Sequence, residues 1–358
     1  MTKIPRMLSA FKHYNYRLWF SGQVVSLMGS WMQMIAQGIF VYELTGNPAF
    51  LGYVLFASGI PTTILSLYGG IVADKFSKRN LMIITQTVMM ILAFILSWLA
   101  FTNTVQPWMI IVLSFLLGVA NAFDAPARMA FTVEMVGKED LGNAIALNSM
   151  MFNLGTALGP AISGVVYAFF GPGWCFLING LSFLFIIAAS MLMKLPKYQP
   201  KKQTASSKSV LKDGLLYAYK HETIRTIIIN IAVVTIFAFT FMTLLPAWPS
   251  KVFGIKNLQA AEMANGFLQS MRGIGAFFAG LVGAYVSTTN IKGKFMFYAQ
   301  MMFPLLLMAF ALSTIIPLSY AIMLVLGFAI MVFFNMSMII VQTHVDDDYR
   351  GRVMGLYN

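Results

Sequence analysis

Cysteine, histidine and charge are scarce in this chain of 358 residues: one Cys, three His, and only 10% Asp, Glu, Lys and Arg together. The lone Cys175 can form no intramolecular disulfide, which excludes a disulfide-stapled scaffold, and at the start of an apolar run it suits a small buried hydrophobe. His13, His221 and His344 are scattered through polar segments, away from the clustered His, Cys or carboxylates that a membrane enzyme would need. Asp346-Asp347-Asp348 suggests a metal site at first sight, but no second ligand group accompanies it and it reads as a solvated loop. Gly293-Lys294-Phe295 lacks both the earlier glycine and the hydroxyl of a phosphate-cradling Gly-x-x-x-x-Gly-Lys-Ser/Thr loop, which argues against an ATP-driven pump. Neither a metal nor an organic cofactor is expected.

Apolar residues are abundant instead. They make up 59% of the chain, against about 45–50% in soluble globular proteins. A soluble fold of this length has too little interior to hide that surface. Apolar runs close to the roughly 20 residues a helix needs to cross a bilayer recur along the chain. They predict spans at 17–42, 50–73, 81–101, 107–125, 143–169, 174–193, 224–247, 263–286, 295–315 and 319–341. Pro107, Pro172, Pro246, Pro249 and Pro317 mark several of the turns. The first run is too long for a cleavable signal peptide.

The bases fall almost entirely on one side of these spans. Lys3 to Arg17, Lys75 to Arg79, Arg128 and Lys138, Lys194 to Arg225, Lys292 and Lys294, and Arg350 and Arg352 share a side; Lys251 and Lys256 lie on the other. The positive-inside rule then places the amino terminus in the cytoplasm. The net charge of +12 is explained by topology and anionic lipid, and nucleic acid is not an expected partner. The longest polar segment opens with linker composition, and 210–219 is expected to form a short helix on the inner membrane surface. It divides the chain into a six-span bundle over 1–193, a cytoplasmic linker over 194–222, and a second bundle over 223–358.

Between the second and third spans stands Gly70-Ile71-Val72-Ala73-Asp74-Lys75-Phe76-Ser77-Lys78-Arg79. A glycine four residues before an acid–base cluster lets two helix ends approach closely, and the charges must stay on the wet side of the bilayer. This spacing resembles the loop signature of the major facilitator superfamily, with Ser77 where that family usually has a second glycine. Gly283 to Lys294 resembles a worn second copy that kept its glycine and bases and lost the acid, as expected of a fold built from repeats. Gly29-Ser30-Trp31-Met32-Gln33, Tyr42-Glu43-Leu44-Thr45-Gly46, Phe123-Asp124-Ala125-Pro126-Ala127-Arg128 and Asn143 to Ser149 resemble the enterobactin-exporter and macrolide-efflux branch of that superfamily.

The resemblance runs through nearly the whole chain. It implies an all-α integral membrane protein with two pseudo-symmetric six-helix bundles, of which ten complete transmembrane helices are present and the last two are missing. It also implies secondary active export of a small molecule, a drug or a siderophore-like compound, across the bacterial inner membrane. Alternating access in a monomer would be driven by the proton gradient. An importer or uniporter on the same fold is the alternative, ahead of a non-transporting receptor or structural protein. The gating set on this reading is Gly70, Asp74, Lys75, Lys78, Arg79, Asp124, Arg128, Arg350 and Arg352. In relatives the motif's acid meets the start of the eleventh helix, here Arg350 to Val353, while an acid matched by Asp124 pairs with the motif's bases.

Gly155, Gly159, Pro160 and Gly164 form a small-residue motif in the fifth span that serves tight helix packing, a specific antiport role, or both; Ser163 stands where relatives carry another glycine. Gln33 and Gln37 share one helix face, and Asn148 shares the face of Gly155 and Gly159. Each of these amides reads either as an interhelical hydrogen bond or as a substrate contact. Arg272, inside the eighth span, needs water, an acid or an anionic ligand, unless the span is shifted and the side chain snorkels. For a proton carrier the chain offers Glu43 and Asp124, neither central, and has Ser30 where many relatives have an acid.

Overall fold

The computed structural model describes residues 6–137, 139–194, 216–286, 291–345 and 353. After a short 3₁₀ stretch, Arg6–Lys12, come six long helices: α1 Tyr14–Thr45, α2 Ala49–Lys75, α3 Lys78–Phe101, α4 Pro107–Val136, α5 Leu141–Phe170 and α6 Pro172–Leu192. Four more follow: α7 Glu222–Leu244, α8 Leu258–Val286, α9 Lys292–Leu312 and α10 Ile316–His344. Helices dominate because hydrocarbon offers no hydrogen bonds, so each spanning segment must satisfy its own backbone. Sequence chemistry sets the ends. Pro107 and Pro172 open α4 and α6 at positions where a missing N–H costs nothing. Gly46, in the left-handed conformation at φ 60°, closes α1 with its N–H on the Tyr42 carbonyl.

Among the described residues nine of these helices are long and apolar enough to cross a membrane. The exception is α8, whose apolar stretch is interrupted by Glu262, Asn265, Gln269, Ser270 and Arg272. The fourth span also runs farther than hydropathy predicts, continuing through Pro126 to Val136. A mid-helix proline removes one donor and leaves the carbonyl four residues back without its helical partner. That carbonyl belongs to Ala122, and it lies against Gly69 of α2, where any Cβ would collide with it. The lost bond is thus absorbed at a helix crossing and α4 continues.

The chain divides into two compact units, 1–201 with 243–270, and 202–242 with 271–358. The segment 243–270 groups with the first six helices. The reason is contact: the Pro246 ring lies 3.3 Å from the position of a Cβ on Gly38, and Gly266 abuts α5. In the first unit, one apolar cluster around Tyr16, Trp19, Met82, Phe131 and Ile186 fills the end nearer the amino terminus. A second, around Met32, Phe40, Leu96, Ile110 and Phe176, fills the other end. The second unit has its own core of Ile224, Leu326, Phe333 and Met336, and α8 crosses α10 there with Gly275 and Gly327 each against a backbone carbonyl of the other helix. Outward faces are apolar, with Trp98 70% and Leu312 77% exposed, as lipid contact requires.

Candidate functional site

The motif turn is only two residues long. Phe76 and Ser77 separate α2 from α3, and the Ser77 hydroxyl caps α3 by accepting from the Asn80 N–H at 3.4 Å. Lys78 and Arg79 thus occupy the first turn of α3, where the helix dipole disfavours cations. Each is satisfied from another helix: Lys78 Nζ meets Glu134 of α4 at 2.5 Å, and Arg79 Nη2 donates to the Met191 carbonyl, at the negative end of α6, at 2.7 Å. The backbone of Asp74 and Lys75 ends α2, while their side chains, like Arg350 and Arg352, lie outside the described residues. Gly70 does not make the expected close approach; among the described residues nothing stands within 4 Å of where its Cβ would be, and Gly69 holds the α2–α4 crossing. One residue along a helix turns the side chain by about 100°, enough to move it from the seam to an open face.

Asp124 is 1% exposed and faces α3. Its Oδ1 accepts from Thr85 Oγ1 at 2.9 Å and Gln86 Nε2 at 3.0 Å, and Arg128, one turn on, stands 3.6 Å from Oδ2. The expected pairing of this acid with the motif's bases is not made by Lys78 or Arg79, which are taken by Glu134 and Met191. A second tether closes the same end of the first unit. Asp140, before α5, receives Lys12 at 2.6 Å and His13 at 2.7 Å, and Asn143 Oδ1 accepts from the Ala10 N–H. The hydrogen bonds from Lys12, His13 and Ser9 hold the Asp140 carboxyl well below the usual carboxylate range, and Asp140 in turn raises Lys12.

The three candidate amides are taken up between helices. Gln37 Nε2 donates to Ser114 Oγ of α4 at 2.6 Å, Gln33 Oε1 accepts from Asn179 of α6 at 2.7 Å, and Asn148 Oδ1 accepts from Tyr16 at 2.9 Å. The small-residue motif divides between two neighbours. Cβ atoms on Gly155 and Gly159 would meet Trp31 of α1 at 2.8 and 2.5 Å, and Ser163, the next residue on that face, donates to the Met32 carbonyl at 3.0 Å. Gly164 faces α8 instead: a Cβ there would stand 3.1 Å from the Glu262 carbonyl oxygen and 3.2 Å from the Gly266 Cα, while one on Gly266 would come within 2.7 Å of the Pro160 carbonyl. Arg272, in the second unit, has an enclosed Nε with no hydrogen-bond partner and no ion pair among the described residues.

The profile of the transmembrane secretion effector family, within the major facilitator superfamily, matches residues 6–358. The chain belongs to this family. The chain is 28% identical over 267 residues to the staphyloferrin A transporter of Staphylococcus aureus, an alignment covering 74% of the chain and 66% of the relative. It is 20% identical over 279 residues to macrolide efflux protein A of Streptococcus pyogenes, covering 75% and 67%. The chain thus spans about two thirds of the length of the curated relatives it matches. Its fold matches a bacterial homolog of the human lysosomal transporter Spinster with a TM-score of 0.73 at 13% identity, covering 99% of this chain and 79% of that one. It also matches the nucleoside transporter NupG at 0.69 and 17%, covering 99% and 86%. The chain is therefore a multi-pass member of a transporter family and not of an enzyme family.

Sequence reading missed Glu262 by one residue, because the eighth span was opened at 263. The signal was present: Glu262, Asn265, Gln269 and Arg272 recur at helical spacing and interrupt the apolar run of this helix. Glu262 is 3% exposed and lies within hydrogen-bonding reach of the Glu43 carboxyl at the end of α1, whose Oε2 accepts from Tyr167 Oη of α5 at 2.6 Å.

Proposed function

We propose that this protein exports a small organic molecule from the cytoplasm by alternating access, driven by proton entry, in the inner membrane of a bacterium with its amino terminus inside. The observation that carries the reading is family membership over residues 6–358, together with relatives named for a siderophore and for macrolides. The side rich in bases carries the gate. Lys78–Glu134, Arg79–Met191 and the Asp124 network join α3, α4 and α6 at one end of the first unit, a constraint that must loosen when that end opens. Asp74, Lys75, Arg350 and Arg352 complete the gating set on the strength of the family pattern, and Arg128 serves it by standing beside Asp124. Gly70 contributes through its place in the turn and not through helix packing.

Substrate contact falls to Arg272. A guanidinium inside a span must be matched by an anion or by water, and Arg272 has no acid beside it among the described residues. Gln33, Gln37 and Asn148 serve chiefly to join helices. Gly155, Gly159, Pro160 and Gly164 hold α5 to α1 and to α8. The test is gradient-dependent efflux of a cationic dye, a macrolide and staphyloferrin A from cells carrying the full-length gene, with Arg272→Ala beside it. Export of at least one compound that collapses with an uncoupler is the expected result. Loss in Arg272→Ala confined to the anionic siderophore would assign the site, and uncoupler-insensitive movement down a gradient would replace export by facilitated diffusion.

A further inference from the structure

We infer that Glu43 and Glu262, with Tyr167, form the site that carries the coupling proton, the two carboxyl groups sharing one proton between α1 and α8. The inference rests on the proposed proton-driven export and names the residues that would perform it.

Four elements of the first unit meet at this point: the last turns of α1 and α5, the start of α6 and the start of α8. The Glu262 side chain is enclosed, its Oε1 without a hydrogen-bond partner, and its backbone carbonyl is pressed against Gly164. Glu43 is exposed, so the pair has one wet member and one dry one. The groups that face it among the described residues are Tyr167 from α5 and Cys175 from α6, both buried. No Lys, Arg or His is among them. Two carboxylates in hydrogen-bonding contact without a counter-cation cannot both be charged, and one oxygen must carry a hydrogen to make the bond. Tyr167 already spends its hydroxyl hydrogen on Glu43 Oε2, which favours the charge on Glu43 and the proton on Glu262.

The step is a simple protonation and its reversal. External water delivers the proton through Glu43, and a lone pair of the Glu262 carboxylate takes it to form the O–H bond; on release that bond breaks, its electron pair stays on the carboxylate, and the proton passes to water open to the cytoplasm, while Tyr167 remains protonated throughout. With the proton present the carboxyls bind α8 to α1. Without it two like charges face one another in a poorly solvated place, and the helices are driven apart. Protonation state and helix contact are thereby linked, which is what coupling requires. Gly164 and Gly266 let α8 approach closely enough for the bond to form.

The experiment is infrared difference spectroscopy of the purified full-length protein across a pH titration, in sodium-free buffer, for wild type, Glu262→Gln and Glu43→Gln. The expected result is a protonated-carboxyl C=O band at neutral pH that disappears on alkalinisation, is absent in Glu262→Gln, and titrates at a lower pH in Glu43→Gln, where the second charge is gone. A band unchanged in both variants overturns the inference. So does a band displaced by sodium at fixed pH, which would make the pair a cation site. Macrolide efflux in proteoliposomes separates the two levels. Wild-type flux indifferent to the proton gradient sinks the export reading, whereas gradient-driven flux that survives in Glu262→Gln sinks only the assignment. Loss of gradient-driven flux with passive macrolide exchange retained supports it.

Discussion

Replacing Asp124 by asparagine should abolish gradient-driven transport while changing stability by less than about 1 kcal/mol. Asparagine keeps an Oδ1 for both present donors, Thr85 at 2.9 Å and Gln86 at 3.0 Å. What it loses is the charge-assisted part of those bonds, about 1 kcal/mol each. Against that, the native carboxylate is costly to bury: its Oδ2 has no hydrogen-bond partner, and Arg128 stands 3.6 Å away with its own side chain 32% exposed. The two effects are comparable and opposite. Asp124→Leu differs, because Gln86 Nε2 then loses its acceptor while Thr85 falls back on the Leu81 and Met82 carbonyls, each at 3.0 Å. One stranded buried amide costs about 1–3 kcal/mol. The buried Cys175, the only cysteine, is a built-in probe, since a thiol-reactive fluorophore reaches it only on unfolding. Wild type and Asp124→Asn should melt together and Asp124→Leu earlier. An asparagine variant that melts as early as the leucine one would make the charge structural, and one with full transport would remove Asp124 from the gate.

Gly69→Ala should destabilise by about 1–3 kcal/mol, because the new Cβ meets the fixed Ala122 carbonyl, whereas Gly70→Ala meets nothing and should gain about 0.5–1 kcal/mol in the same thiol-based melt. Gly266→Ala should cost about as much as Gly69→Ala, since its Cβ would stand 2.7 Å from the Pro160 carbonyl; a neutral result would show that α8 is not held there. The tether of Lys12 and His13 to Asp140 should fail in acid. A carboxyl held below its ordinary value contributes stability present above its unfolded pKa, about 3.9, and lost as pH falls through the lower folded value; Lys12, raised, loses its contribution only above about 10.4. Hydrogen exchange over residues 6–12 should therefore accelerate well below pH 4 in wild type, and Asp140→Asn should show that faster exchange already at pH 7.

Hydropathy located each long helix because burial in lipid demands long apolar runs, but it read poorly wherever polar groups serve packing or coupling. It ends the fourth span at 125, whereas the helix continues through Pro126 because the freed carbonyl has a place to go, and that place, Gly69, is visible only in three dimensions. The close approach expected at Gly70 is made at Gly69 for a related reason: a loop motif gives spacing along the chain, not which face meets a neighbour. Gln33 and Gln37 were legible as polar groups sharing a face, but their partners Ser114 and Asn179 come from other helices, beyond the reach of any local pattern. Glu262 was lost to a window edge. Its periodicity with Asn265, Gln269 and Arg272 was readable, while the meeting with Glu43, far away in the chain, was not.

Energised inside-out vesicles carrying the full-length protein test the central claim most directly. On addition of a transported macrolide or siderophore, proton-driven export predicts accumulation in the lumen, accompanied by proton release that an external pH dye records and abolished by an uncoupler. Accumulation without proton release, or accumulation in right-side-out vesicles alone, would contradict it.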